Sequence, residues 1–271
     1  MGYVYNENMD VLILLVPILT GLVAAVVINY LADVLPQSLR LTRPTCPDPQ
    51  CQTVFSWSDY LLLRGCSQCG KRARVRPIMV YVLSLAVALY LWLNPPAKIG
   101  FALGLLAFAY LGLVALIDLE HHLILRPLTL AGLLIATGSG VLMHGWLATL
   151  IGGLAGFGIL YAFYLFGKLF TRMRARKLGK DPKDVDEAMA SGDVTLAGLL
   201  GLFLGWPLIW FGLLLGTLLA GGISIVILVG VAIRKQYKEQ ALMIFIPLGP
   251  AFVASAVFLV YFPNWIVGLL P

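Results

Sequence analysis

The chain is short of charge. Asp, Glu, Lys and Arg make up 12% of its 271 residues, about half the share of an ordinary soluble domain. So little polar surface cannot clothe a water-borne fold, which excludes a conventional soluble enzyme. The length would allow one or two soluble domains. A mean hydropathy of +0.92, with apolar runs near the roughly 20 residues needed to cross the hydrocarbon layer, assigns most of the chain to lipid instead. Basic residues are also missing from the opening MGYVYNENMD, which holds Glu7 and Asp10. That is unlike the positive start of a cleaved signal peptide, so 11–33 is expected to be a retained transmembrane helix. The sequence has no long soluble domain, no low-complexity tract, no convincing internal repeat and no glycine-rich nucleotide-binding fingerprint.

What is present is a series of apolar segments, at 11–33, 77–94, 98–117, 123–143, 146–167, 194–205, 208–233 and 242–262. They predict an all-α polytopic membrane protein of about eight transmembrane helices. The sixth is short, bounded by Gly205, Trp206 and Pro207. If the first helix enters from outside, the loops 34–76 and 168–193, the turn 234–239 and Arg126 all lie on one face. Those places hold every one of the 19 basic residues except Lys98. Basic residues collect in cytoplasmic loops, so this face is the cytoplasmic one, and dropping the sixth helix would spoil the agreement. The formal net charge of +6 is thereby explained by topology and by contact of tracts such as Arg172 to Lys183 with anionic lipid headgroups. No nucleic-acid partner is expected. Trp206, Trp210 and Trp265 suit the outer interface or packing between helices.

All four cysteines lie in loop 34–76, as Cys46-Pro-Asp-Pro-Gln-Cys51 and Cys66-Ser-Gln-Cys69. Two close pairs can surround a tetrahedral Zn²⁺, and disulfides rarely persist in a reducing cytoplasm. A structural zinc is the expected occupant, because bound metal fixes a loop too small for its own core. Reduced structural thiols and a disulfide are the other readings. Pro47, Pro49 and the four-residue gap in the first pair count against metal.

Acidic groups near hydrocarbon are costly enough to be functional candidates. Asp118 ends the apolar run LGLVALI, and Asp193 lies in Ala190-Ser-Gly-Asp193-Val-Thr at the entry to the sixth helix. The topology puts both at cytoplasmic helix ends. Two close carboxylates tend to share one proton, which suits them to activate water and polarise a carbonyl in turn. Such cleavage requires no metal. Each aspartate alone also fits a solvated cap or loop residue. Glu120, His121 and His122 follow closely, but adjacent helical histidines point about 100° apart, so they are expected to be solvated or to support the site rather than bind metal.

These residues carry a resemblance to the type IV prepilin peptidases, over nearly the whole chain. Asn29 with Pro36 resembles the family's first cytoplasmic boundary. Cys46 to Cys69, with Ser56-Trp57 and Leu63-Arg64-Gly65, resembles its cysteine module. Ile117-Asp118 with Pro127 and Thr129, Gly192-Asp193-Val194, and Ile246-Pro247-Leu248-Gly249-Pro250 resemble its two catalytic motifs and the proline-rich last helix. The resemblance implies a multi-pass enzyme of the bacterial inner membrane that removes the basic leader of prepilins or type II secretion pseudopilins. Asp118 and Asp193 would be its catalytic aspartates, facing the cytoplasm. It also implies three segments: 1–33 as the first transmembrane helix, 34–76 as the cytoplasmic cysteine module and 77–271 as the transmembrane peptidase domain.

Many family members also methylate the new N-terminus using S-adenosylmethionine. Three positions depart from the family pattern: Ala190 stands where the second motif has glycine, Thr195 where lysine is common, and Val80 where glutamate is common. Val80 and the Cys46 to Cys51 spacing bear on the methyltransferase half only. The competing functions are a peptidase without methyltransferase activity and a transporter using the two aspartates in a proton or ion path.

Overall fold

The computed structural model describes residues 7–46, 51, 53–70, 75–178, 191–233 and 248–262. Among them, nine helices and a single isolated bridge, Thr45 to Val54, make up the regular structure. Six of the helices are long and apolar enough to cross a membrane. Two shorter apolar helices, Gly192–Leu204 and Leu248–Tyr261, bring the apolar total to the expected eight. The chain is an all-α polytopic membrane protein.

Two compact units divide the chain, Met1–Leu113 and Val114–Pro271. The first holds α1 (Glu7–Ser38), α2 (Trp57–Leu61), α3 (Val75–Leu93) and the first part of α4 (Gly100–His121). On α1 the buried residues Ala25, Ile28, Asn29, Ala32 and Leu35 form one stripe at helical spacing, while Leu19, Val23 and Val27 are exposed. A helix apolar on its exposed side has lipid for a solvent. The stripe meets α3, where a Cβ on Gly21 would lie 2.9 Å from that of Ala88. At the other end Asn29 Nδ2 donates to the Pro77 carbonyl at 3.4 Å. The two pairs run in opposite directions along the chain, so α1 and α3 are antiparallel. Asn29 is among the positions where the sequence resembles the prepilin peptidases.

The second unit contains the end of α4, then α5 (Arg126–His144), α6 (Trp146–Leu178), α7 (Ser191–Leu204), α8 (Leu208–Ile233) and α9 (Leu248–Tyr261). Its centre is α7, which packs against α5, α6, α8 and α9. Leu196 and Ala197 are fully buried, and Leu199, Leu200, Phe203 and Leu204 nearly so. Against α6 the backbones come close: a Cβ on Gly201 would strike the Gly152 carbonyl, and one on Gly156 the Ala197 carbonyl. Small residues at such a seam let helices gain dispersion contacts that lipid cannot supply. Gly205, with φ +69, ends α7 and is followed by a cis Trp206–Pro207 bond.

Three helices outrun their apolar runs. α1 continues to Ser38 with Pro36 inside it, α4 continues to His121, and α6 runs on to Leu178. Lys and Arg are good helix formers, and nothing between 168 and 178 breaks a helix, so α6 leaves the apolar stretch without stopping. The first half of the basic tract expected as loop is therefore helical. Its remainder, and the segments 234–247 and 263–271 with Trp265, lie outside the described residues.

Candidate active site

Asp118 lies in the last turn of α4 and is buried, as are Val114 and Ile117. The helix closes just beyond it: His122 adopts φ 52, and its N–H donates to the Asp118 carbonyl at 3.0 Å. A left-handed residue is a common way to end a helix. The side chains of Glu120, His121 and His122 are exposed. Arg126 then opens α5 with Pro127 in its first turn, where a missing N–H costs nothing. Thr129 holds that turn by donating both its N–H and its hydroxyl to the Leu125 carbonyl, at 3.0 and 3.3 Å.

Asp193 sits in the first turn of α7 and is also buried. There the helix dipole is positive, which suits a carboxylate. Two sets of contacts draw the end of α4 and the start of α7 together. A Cβ on Gly192 would lie 3.2 Å from Ile124 Cδ1, six positions after Asp118. Gly249, in the first turn of α9, stands directly against Asp118 Oδ2, and a Cβ there would also lie 3.2 Å from Leu196 Cδ2. Leu196 is one turn beyond Asp193. The first turn of α9 thus lies against both the Asp118 carboxylate and α7, and Asp118 Oδ2 makes no hydrogen bond among the described residues. Ala190, Ile246 and Pro247 lie outside those residues.

The four cysteines converge. Cys46 and Cys69 have their sulfurs 3.6 Å apart, as do Cys51 and Cys66, and all four sulfurs lie within 4.8 Å of one another. A disulfide needs about 2.05 Å, and none of the four is in one. Tetrahedral Zn–S bonds of about 2.3 Å put sulfurs about 3.8 Å apart, so the cluster has the dimensions to hold a metal ion. Backbone pairing makes this possible: Cys46 N–H donates to the Thr53 carbonyl and Phe55 N–H to that of Pro44, both at 2.9 Å. This hairpin-like pairing turns Cys51 back toward Cys46 across the four-residue gap. Pro47 and Pro49 are outside the described residues. In the second pair, Gly70 turns with φ +67 and donates to the Cys66 carbonyl at 2.9 Å. Backbone N–H groups of Cys69 and Gln68 stabilise the Cys66 thiolate and lower its pKa to about 6.

Residues 105–229 match the type IV leader peptidase family. A protein of Aeromonas hydrophila named prepilin leader peptidase/N-methyltransferase is 30% identical over 233 residues, which cover 79% of this chain and 70% of that relative. The chain belongs to the type IV leader peptidase family. A Legionella pneumophila protein of the same name is 28% identical over 244 residues, covering 85% of this chain and 77% of its own. No solved structure matches. The family match holds Asp118 and Asp193 but neither the cysteines nor α9, so the arrangement of those parts in this leader peptidase rests on its own geometry.

That geometry adds a group that sequence reasoning passed over. Asp33, near the end of α1, accepts 2.6 Å hydrogen bonds from Tyr60 Oη on one carboxylate oxygen and from an Arg76 guanidinium N–H on the other. Tyr60 belongs to α2 in the cysteine loop, and Arg76 to the first turn of α3. One carboxylate therefore ties two membrane helices and the loop together. Burial, with the Asp33 charge and hydrogen bond behind it, pushes the Tyr60 pKa well above the usual phenol range. The sequence signal that could have found it is an acidic residue at the end of the first apolar run.

Proposed function

We propose that this leader peptidase is an intramembrane aspartic endopeptidase in which Asp118 and Asp193 form the catalytic pair. Its substrates are prepilins or type II secretion pseudopilins, cut behind their basic leader at the cytoplasmic face of the bacterial inner membrane. The names of both curated relatives support the prepilin substrate. The observation that carries the aspartates is a common neighbour: a Cβ on Gly249 would meet both Asp118 Oδ2 and the Leu196 side chain, one turn from Asp193. A transporter would use the pair as an ion path, and family membership gives that reading no support.

With one proton shared between the two carboxylates, the ionised one takes a proton from water. The water oxygen then bonds to the scissile carbonyl carbon, whose oxygen accepts a hydrogen bond from the protonated carboxyl. Collapse of the tetrahedral intermediate breaks the C–N bond, and the departing amine takes a proton from the pair. No step draws on metal. Placing 18 of the 19 basic residues on one side of the membrane supports a cytoplasmic site. It also meets the substrate where a basic leader joins an apolar helix.

The module at 34–76 is assigned a structural Zn²⁺ held by Cys46, Cys51, Cys66 and Cys69, whose sulfur spacing fits it. The metal would cross-link the two cysteine pairs and take no part in cleavage. Residues 77–271 form the peptidase domain in this reading. The N-methyltransferase half of the relatives' name extends the proposal to methylation of the new N-terminus, with S-adenosylmethionine as methyl donor. Mass spectrometry of a coexpressed prepilin tests both activities: leader loss marks the peptidase, and about one methyl mass more marks the transferase. Asp118→Asn and Asp193→Asn should each reduce cleavage by at least about 1,000-fold. Unimpaired processing by both variants would refute the aspartic mechanism.

A further inference from the structure

The Asp118 side chain is in an unusual setting. The residue is 6% exposed, and its Oδ2 is buried with no hydrogen-bond partner among the described residues. Leaving a carboxyl oxygen without a partner is costly, so its orientation has to be imposed by packing. Gly249 supplies the packing. It is the second residue of α9 and is itself buried. A Cβ built on it would collide with Asp118 Oδ2 and stand 3.0 Å from Cγ. The φ of Gly249 lies outside the left-handed region, so the position requires glycine for space and not for backbone freedom. In place of a side chain, Gly249 presents a Cα–H to the carboxyl oxygen, a contact worth little by itself.

We propose that Gly249 is a positioning residue for Asp118. By lacking a Cβ it lets the first turn of α9 close on the carboxyl and fixes the direction in which Oδ2 points. The inference rests on the reading of Asp118 as one of the catalytic pair. It differs from a purely structural role because the atoms a Cβ would meet are movable: the end of the Asp118 side chain and a methyl of Leu196. Alanine at 249 is accommodated when Asp118 turns into another rotamer. The fold survives and the carboxyl is misaimed. Misplacement of a reacting group by about 1 Å costs on the order of 100-fold in rate.

The test uses the full-length enzyme in lipid nanodiscs with a purified prepilin. Gly249→Ala should lower kcat by about 100-fold with little change in KM, while Ala254→Val, at an exposed position of α9, leaves both unchanged. A second readout is independent of activity. Gly249→Ala should lower the melting temperature when Asp118 is present and have no effect in an Asp118→Ala background, where the colliding carboxyl is gone. Full kcat in Gly249→Ala, or an equal melting loss in both backgrounds, overturns the positioning role. Asp118→Asn that still cleaves removes the catalytic pair and this role with it. An inactive Asp118→Asn beside a fully active Gly249→Ala overturns the positioning role alone.

Discussion

Tyr60 donates its phenol proton to Asp33 across 2.6 Å, and the same carboxylate receives Arg76. The pair joins the cysteine loop to the membrane helices at a single acidic residue. A hydrogen bond to a charged group contributes roughly 1.5–3 kcal/mol. Tyr60→Phe should loosen the loop by about that amount while leaving the α1 and α3 packing intact. Asp33→Ala should do more, because it removes both hydrogen bonds at once. Hydrogen exchange and limited proteolysis of 53–70 read the effect, and protection equal to the native chain in both variants would argue against the clamp.

The same contact has a pH signature. Folding raises the Tyr60 pKa, first through burial and then through Asp33. An acid with a raised folded pKa contributes its stability fully below the unfolded value, about 10 for a phenol. That contribution is lost as pH rises beyond it. Protection of the loop should therefore be flat from neutral pH to about pH 10 and decline above, with Tyr60→Phe removing the decline. Loss of protection on acidification would not come from this phenol.

Metal content tests the cysteine cluster. One zinc per chain is expected in the purified protein, with none in the doubly substituted Cys46→Ser, Cys69→Ser chain. Chelation should unfold the loop ahead of the helices, since metal-binding energy in so small a module is folding energy. Equal zinc in both proteins would exclude these sulfurs as the ligands.

The seam between α6 and α7 predicts two opposite outcomes for similar substitutions. Gly201→Val puts a Cβ into the Gly152 backbone, which cannot swing aside. A loss of about 3 kcal/mol is expected, at the upper end for overpacking, and activity should fall with it because α7 carries Asp193. Gly158→Ala has nothing within 4 Å of the new carbon and removes a poor helix former, so it should be neutral or stabilising by up to about 1 kcal/mol. Thermal melts in detergent compare the two directly.

Hydropathy made the eight apolar helices legible because lipid selects for composition over long stretches. Even the brevity of α7 could be read, from Gly205 and Pro207. Helix ends were harder, since α6 persists to Leu178 on the propensity of basic residues that also suit a loop. Motif order singled out Asp118, Asp193 and Gly249, but it carries no distances, so the contact of Gly249 with the Asp118 carboxyl had no sequence signal. Asp33 was hidden for a related reason: its value lies in partners 27 and 43 positions away, and nothing local announces them. The cysteine pairs were legible as pairs, while the pairing of Thr45 with Val54 that brings them together was not.

The shortness of α7 also dictates how a substrate must enter. Trp206 and Trp210, both exposed, mark one interface just past its end. From Leu204 back to Asp193 the helix rises only about 17 Å, which leaves about 13 Å of a 30 Å hydrocarbon layer beyond the aspartate. On this count Asp193, itself buried, lies below the membrane surface, and a substrate has to reach down to it. A polypeptide fills such a depth with about four residues if it is fully extended. An extended reach of that length is expected to favour substrates that unwind easily beside the cut, which makes ease of unwinding a selection criterion in its own right.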